Sequence, residues 1–288
     1  MGMKIKKAVR VFTWIIFVVI VLCGITYLIA WKSPKYYAVS DDLNTDSIIP
    51  FKNYAQISDH QRPFIISSPN KYTVFGSTHT RDPNHFEIAL IEKEWQKLKP
   101  TIALIEGRLG FLIPGIMDPV KNLGEGGKVK ALAEKNNVPI YNWDLPKEVL
   151  AKQLLKKFNA EQVALSQILN PYFGQLRFGK PASPESFIEE FYKRAKYVGQ
   201  ENNIKTAADI DRTWKKYFPA GPDWRDVSDE NGLPGYLEDM IAITNDLRNH
   251  QLVVAIKELT VKGEKPFVSC GSSHAACIAT AFKDALIK

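Results

Sequence analysis

The chain has 288 residues, 45 % of them hydrophobic, a formal net charge of +7 and three cysteines. Six of its 38 basic residues fall in the first 35 positions, where no acidic residue occurs, leaving 32 basic against 31 acidic residues in the rest. The basic balance therefore belongs to the N-terminus, which excludes the electrostatic footprint of a nucleic-acid partner, and the cysteine content excludes a disulfide-rich scaffold or a thiolate zinc cluster.

Residues 1–10 form a basic segment with Lys4, Lys6, Lys7 and Arg10. Val11 to Trp31 carry no charge, and as a helix they would span roughly 30 Å, about one bilayer core. This predicts a single transmembrane anchor over 11–31, with Trp14, Tyr27 and Trp31 at the interfaces. The positive-inside rule puts the N-terminus in the cytoplasm and the remaining chain outside it. A cleaved signal peptide is the rival, but Tyr27-Leu28-Ile29-Ala30-Trp31 is a poor cleavage site. A buried core helix is the third option.

Residues 32–68 read as a polar linker, and 69–288 as one folded domain. Tyr72–Phe75 reads as a strand. Asp82-Pro83 has the grammar of a helix start, and Ile88, Ile91, Trp95 and Leu98 follow at helical spacing. Thr101–Ile105 is a second strand, ending in Glu106-Gly107-Arg108. Lys128–Asn136 reads as a helix, and Pro139–Trp143 as a third strand ending in Asp144. Apolar strands without alternation, separated by helices, predict an α/β fold: a central, mainly parallel sheet with flanking helices. Residues 146–262 are mostly helical in pattern and rich in aromatics, which predicts a helical cap inserted over the strand ends, with a long helix over 234–260. Most of those aromatics are expected to be core. Pro266–Cys270 reads as the last strand and Ala275–Ile287 as the closing helix. Cys270 and Cys277 are expected to be buried free thiols, a disulfide being the alternative that strand-to-helix geometry disfavours.

Two phrases echo each other. Gly76-Ser77-Thr78-His79 and Gly271-Ser272-Ser273-His274 each follow an apolar strand, in a chain with five histidines. Loops at the C-terminal ends of strands are where α/β folds build their sites. Glu106 ends the strand between them. Two imidazoles and a carboxylate make a ligand set for a divalent metal with open positions, and equally a general base with its orienting partner. A plain salt bridge between Glu106 and Arg108 is the bland reading. Asp144, at the third strand end, reads as a further ligand, an acceptor behind a histidine, or a helix cap. Arg248 on the late helix is a candidate for binding a carboxylate or oxyanion, and its spacing fits a solvated helix face equally well. Asp82 and His85 follow the first histidine within one helical turn, and His85 reads as a first-turn surface histidine, with a ligand role as the alternative. Gly124-Glu125-Gly126-Gly127-Lys128 lacks the spacing of a phosphate loop, and no nucleophile elbow is present.

The two Gly-x-x-His phrases, the strand ending in Glu106-Gly107-Arg108, and Arg248-Asn249 on a late helix together resemble the TraB/GumN/TIKI group, from a superfamily that includes erythromycin-esterase-like and ChaN-like haem-binding proteins. The resemblance runs from Tyr72 to the C-terminus. Tyr141-Asn142-Trp143-Asp144 follows the pattern only loosely, and residues 158–232 match no part of it. It implies an α/β fold with a helical insertion, and His79, Glu106, Arg248 and His274 lining one pocket. TIKI-like members imply a metal-dependent peptidase holding Mn, Co or Zn through His79, Glu106 and His274, with Asp144, Arg108, Asn249, Asp82 and His85 around them. Esterase-like members imply His–Glu acid–base chemistry without metal. The expected function is a membrane-anchored extracytoplasmic hydrolase of peptides or small esters, and the expectation is metal-dependent peptidase chemistry. The alternatives are a metal-free esterase or a non-enzymatic haem- or peptide-binding surface protein.

Overall fold

The computed structural model describes residues 2–40, 48–57, 59–282 and 286–287. Gly2–Ile29 is one helix, α1. Among the described residues no helix is long and apolar enough to cross a membrane. Within the expected anchor, the side chains of Val11, Leu22, Cys23, Ile25 and Ile29 lie outside the described set. Phe12, Trp14, Phe17 and Leu28 are exposed, Thr26 and Trp31 are half-buried, and Ala30 is buried. The chain docks immediately afterwards, as Trp31 N–H donates to the Leu112 carbonyl at 2.8 Å.

The expected linker is only partly a linker. Residues 41–47 and 58 fall outside the described set. Tyr36 bridges Asn142 in parallel, extending the sheet, and Phe64–Ser68 is a strand, β1. The polar ends of that segment hid Phe64-Ile65-Ile66, which pairs antiparallel with β2, Tyr72–Ser77.

Helix α2 spans Phe86–Leu98 and starts four residues after Asp82. Asp82 instead closes a turn, its carboxylate accepting from Asn84 N–H at 2.9 Å and its carbonyl from His85 N–H at 3.1 Å. Strand β3 is Ile102–Ile105. Helix α3, Pro119–Lys135, begins nine residues earlier than its apolar pattern suggests. Asp118 caps it by accepting from Val120 and Lys121 N–H, with Pro119 in the first turn. The glycines blurred the pattern, and Gly124, with φ of 63° and ψ of −153°, breaks the helix internally. Strand β4, Ile140–Asn142, follows.

The cap holds α4 (Lys147–Leu154), α5 (Ala160–Gln175), α6 (Pro184–Glu189) and α7 (Ala207–Tyr217), joined by short 3-10 turns. Its aromatics form a core of their own, with Tyr172, Phe173, Trp214, Phe218 and Trp224 packed together. Several of their polar atoms are bonded: Trp224 Nε1–H donates to Asp211 at 2.8 Å and Tyr172 O–H to the Arg225 carbonyl at 2.7 Å. The long helix α8, Tyr236–Val261, leads back to β5, Pro266–Gly271. Helix α9 is Ser272–Ile278, starting earlier and ending sooner than expected. Residues 283–285 of the expected helix lie outside the described set, and Leu286–Ile287, β6, pairs antiparallel with β1.

The sheet has six strands in the order β4-β3-β5-β2-β1-β6. The first four are parallel and the β1–β6 side is antiparallel, so the sheet is mixed but mainly parallel. Strand alternation splits the core. Ile66, Val74, Leu104 and Val268 pack against α8 and α9, while Ile65, Phe75, Ile105 and Phe267 pack against α2 and α3. Parallel pairing puts the C-terminal ends of β2, β3, β4 and β5 on one edge. Cys270 and Cys277 are buried free thiols, and burial pushes the Cys277 thiol up to about 12.

Candidate active site

The edge shared by β2, β3 and β5 opens into a cleft of about 510 Å³, lined by His79, Arg81, Glu106, Arg108, Glu125 and Arg177 among others. The cap forms one wall through Asn170, Gly174, Arg177 and Phe178.

The two Gly-x-x-His phrases interlock. A Cβ on Gly76 would stand 2.6 Å from the Ala275 Cβ and 2.8 Å from the Phe64 carbonyl, so the first glycine lets α9 close onto β2. A Cβ on Gly271 would stand 2.7 Å from His79 Nε2. The second glycine therefore makes room for the histidine of the first phrase. His79 adopts a left-handed backbone with φ of 62°, unusual for a side-chain-bearing residue at a strand end. The adjoining Thr78 is tied to buried Glu87 through its N–H at 3.1 Å and its hydroxyl at 2.9 Å.

His79 Nδ1 meets Glu125 Oε1 at 2.6 Å, and Ser77 donates to the same oxygen at 2.8 Å. Its ring is 41 % exposed, on the concave wall of the cleft. Burial opposes its charge, but the Glu125 hydrogen bond and the charges of Glu106 and Glu125 outweigh that effect and push it up to about 9. Glu125 is a cleft residue that sequence reading missed. Its signal was the glycine cluster, read only as a failed phosphate loop. The break at Gly124 re-aims α3, and Gly127 lets its backbone pass Pro119 where a Cβ would stand 2.2 Å from the carbonyl oxygen.

Glu106 is clamped. Oε1 accepts from Arg248 Nη2 at 2.6 Å and Oε2 from Gly271 N–H at 2.7 Å. Arg248 is the hub behind it. Its Nε donates to Asp144 at 2.8 Å, and its Nη1 donates to Asn245 at 3.1 Å and to His274 Nε2 at 2.9 Å. Arginine only donates, so His274 Nε2 is the acceptor and its Nδ1–H faces Asn249 Oδ1 at 2.7 Å. Burial and then the Arg248 charge push His274 down to about 4, so it is neutral. Burial alone would raise the Glu106 and Asp144 carboxyls, but Arg248 outweighs it and holds both below the usual carboxylate range. Trp143 packs edge-on to His274 at 5.4 Å, with the Arg248 guanidinium 5.3 Å from its ring centroid.

The expected residues thus divide. His79 and Glu106 face the cleft, with Arg108 also in its lining. His274, Arg248, Asp144 and Asn249 form a buried network and do not line it. Glu106 pairs with Arg248 rather than Arg108. Asp82 closes its turn, and His85 sits before α2 against Phe86 at 4.7 Å; neither lines the cleft.

This donor set does not suit a divalent metal. A guanidinium bridges Glu106 and His274, both Glu106 oxygens accept hydrogen bonds, and both His274 nitrogens are engaged. Among the described residues no group of three or more His, Cys, Asp or Glu side chains is placed to hold a metal ion. What the cleft presents is an imidazole oriented by one carboxylate beside a second that is held ionised. No family model, curated protein or solved structure matches this chain.

Proposed function

We infer that the domain is a metal-free hydrolase of esters, with His79 as its general base. The observation that carries this reading is the pairing of His79 Nδ1 with Glu125 at 2.6 Å, which leaves Nε2 at the cleft beside Gly271 and Glu106. Glu125 fixes the tautomer with the proton on Nδ1 and steadies the imidazolium formed in the reaction. In the neutral form of His79, which becomes populated as pH rises toward about 9, Nε2 takes a proton from water, whose oxygen attacks the ester carbonyl. The same proton then passes to the departing alkoxide as the carbon–oxygen bond breaks. Glu106 adds a second negative charge that stabilises the imidazolium. Arg248 keeps Glu106 ionised and in place, a positioning role rather than the substrate contact expected of it.

The test is hydrolysis of a chromogenic ester panel by the wild type, His79→Ala and Glu125→Gln, each with and without chelator. General acid–base catalysis contributes about 10²–10⁴-fold, and a loss of that order in His79→Ala, with chelator-resistant wild-type turnover, is expected. Complete loss on chelation, restored by added metal, would return the protein to the metal-dependent peptidase reading. The metal-free reading is what kinship with the esterase-like branch of the TraB/GumN/TIKI superfamily would entail, and that kinship is itself part of the proposal.

The domain is further proposed to be tethered by α1, with its N-terminus cytoplasmic and the cleft outside the cytoplasm. In support, α1 leaves Phe12, Trp14 and Phe17 through Val21 between 41 % and 66 % exposed, surface that lipid would remove from water. Extraction of the full chain from membranes by alkaline carbonate would defeat this reading.

A further inference from the structure

We propose that the cleft selects substrates bearing an anionic group, a carboxylate or phosphate, bound by Arg81 and Arg108. The proposal deepens the hydrolase reading and rests on it for the reaction, but not for the binding.

The argument is a balance of charges around the cleft. Its ionisable lining consists of His79, Arg81, Arg108 and Arg177 against Glu106, Glu125 and Asp229. Each carboxylate is already answered. Arg248 holds Glu106 at 2.6 Å from behind, and His79 holds Glu125 at 2.6 Å. Arg177 grips Asp229 with a fork of two bonds, at 2.7 and 2.8 Å. Arg81 and Arg108 have no carboxylate partner among the described residues. The guanidinium of Arg81 lies 5.8 Å from the centroid of the Phe178 ring. A ring contact at that distance is not a hydrogen bond and leaves the guanidinium N–H donors available to a ligand. Arg108 follows Gly107, whose φ of 69° turns the chain away from the strand after Glu106. Glu106, the acid nearest to it in sequence, is committed to Arg248.

Two guanidinium groups therefore border a cleft whose own acids already have partners. A planar fork of donors matches a carboxylate or phosphate in two-point contact, which a bare positive charge does not. A cleft of about 510 Å³ holds a small molecule with its reacting carbonyl at His79 and its anionic end at the arginines. The cap contributes Arg177 and Phe178 to the same wall, so the insertion that matches no known pattern is also what shapes the anion end.

The experiment uses the full chain in detergent, as wild type, Arg81→Gln and Arg108→Gln. Rates are compared for 4-nitrophenyl hemisuccinate and its neutral counterpart 4-nitrophenyl butyrate. Succinate and inorganic phosphate are titrated separately by calorimetry. Both arginines are exposed, and thermal unfolding checks that the variants remain folded. A wild-type preference for the anionic ester in kcat/KM, falling at least tenfold in each variant through KM, is expected. Saturable binding of succinate or phosphate, weakened at least tenfold by each substitution, is expected as well, and the tighter of the two identifies the group. Equal use of the two esters, or a preference that survives both substitutions, would overturn the proposal. If neither ester is hydrolysed, the hydrolase reading fails and calorimetry decides alone: binding lost in the variants upholds the anion site, and no saturable heat overturns it.

Discussion

Replacing Arg248 with methionine removes the cation shared by buried Asp144 and cleft-lining Glu106 while keeping most of the side-chain volume. Arg248 makes charge-assisted bonds to Glu106 at 2.6 Å and Asp144 at 2.8 Å, and its side chain is only 13 % exposed. Hydrogen bonds to charged groups contribute about 1.5–3 kcal/mol each, and breaking a buried pair by deleting one partner costs about 3–5 kcal/mol. The expected loss at pH 7 is therefore about 3–5 kcal/mol, read from urea denaturation followed by tryptophan fluorescence. The pH dependence separates this cause from simple cavity formation. In the wild type both carboxyls titrate below their ordinary values of 4.5 and 3.8. A folded-state pKa below the unfolded one contributes stability that is present above the unfolded pKa and lost as pH falls through the folded one. In Arg248→Met the carboxyls rise above those values, so the variant gains relative to wild type as they protonate. The gap between the two proteins should narrow from pH 7 to pH 4. A deficit under about 1 kcal/mol, or one that stays constant across that range, would refute the reasoning. Arg248→Lys keeps the charge but not the fork and should fall between the two.

Glu125→Gln removes the main support of the His79 charge, so the imidazole should fall from about 9 toward its ordinary 6.5, as followed by NMR of the ring; an unmoved titration would break the assigned pairing. The raised pKa means that this pair's stabilisation is present below 6.5 and lost as pH rises through about 9, and that wild-type turnover by neutral His79 climbs with pH toward that value. Gly76→Ala forces a Cβ into contact with backbone and Ala275 and should cost about 1–3 kcal/mol in thermal or urea unfolding. Gly271→Ala instead crowds His79 Nε2, so its loss should appear in turnover more than in stability. Elemental analysis of purified protein should find no stoichiometric divalent metal, whereas one metal per chain that disappears in a His79→Ala/His274→Ala variant would show that the Arg248 network rearranges to admit an ion.

Local chemistry made much of the fold legible. The apolar runs at Tyr72–Phe75, Ile102–Ile105 and Phe267–Cys270 have the length and composition of buried strands, and helical spacing in Ile88, Ile91, Trp95 and Leu98 marks the face that packs on them. Repetition of Gly-x-x-His, with Glu106 between, placed His79, Glu106 and His274 at one sheet edge, because parallel strands carry their C-terminal ends to the same side. Boundaries read less well. Asp82-Pro83 and the glycines of α3 each permit a turn as readily as a helix, and the choice falls to contacts made by distant residues.

Division of labour within the site could not be read from the chain. Two phrases of one Gly-x-x-His pattern gave opposite histidines: His79, in a left-handed bend at the cleft, is held toward its charged form by Glu125, while His274, buried beside Arg248, is neutral. Local sequence determines which residues stand at a strand end. Only tertiary structure decides which carboxylate or guanidinium, tens or hundreds of residues away, comes within 3 Å of each. Proton affinity depends on that neighbour and on exclusion of water, so the chemistry of the cleft was decided by packing.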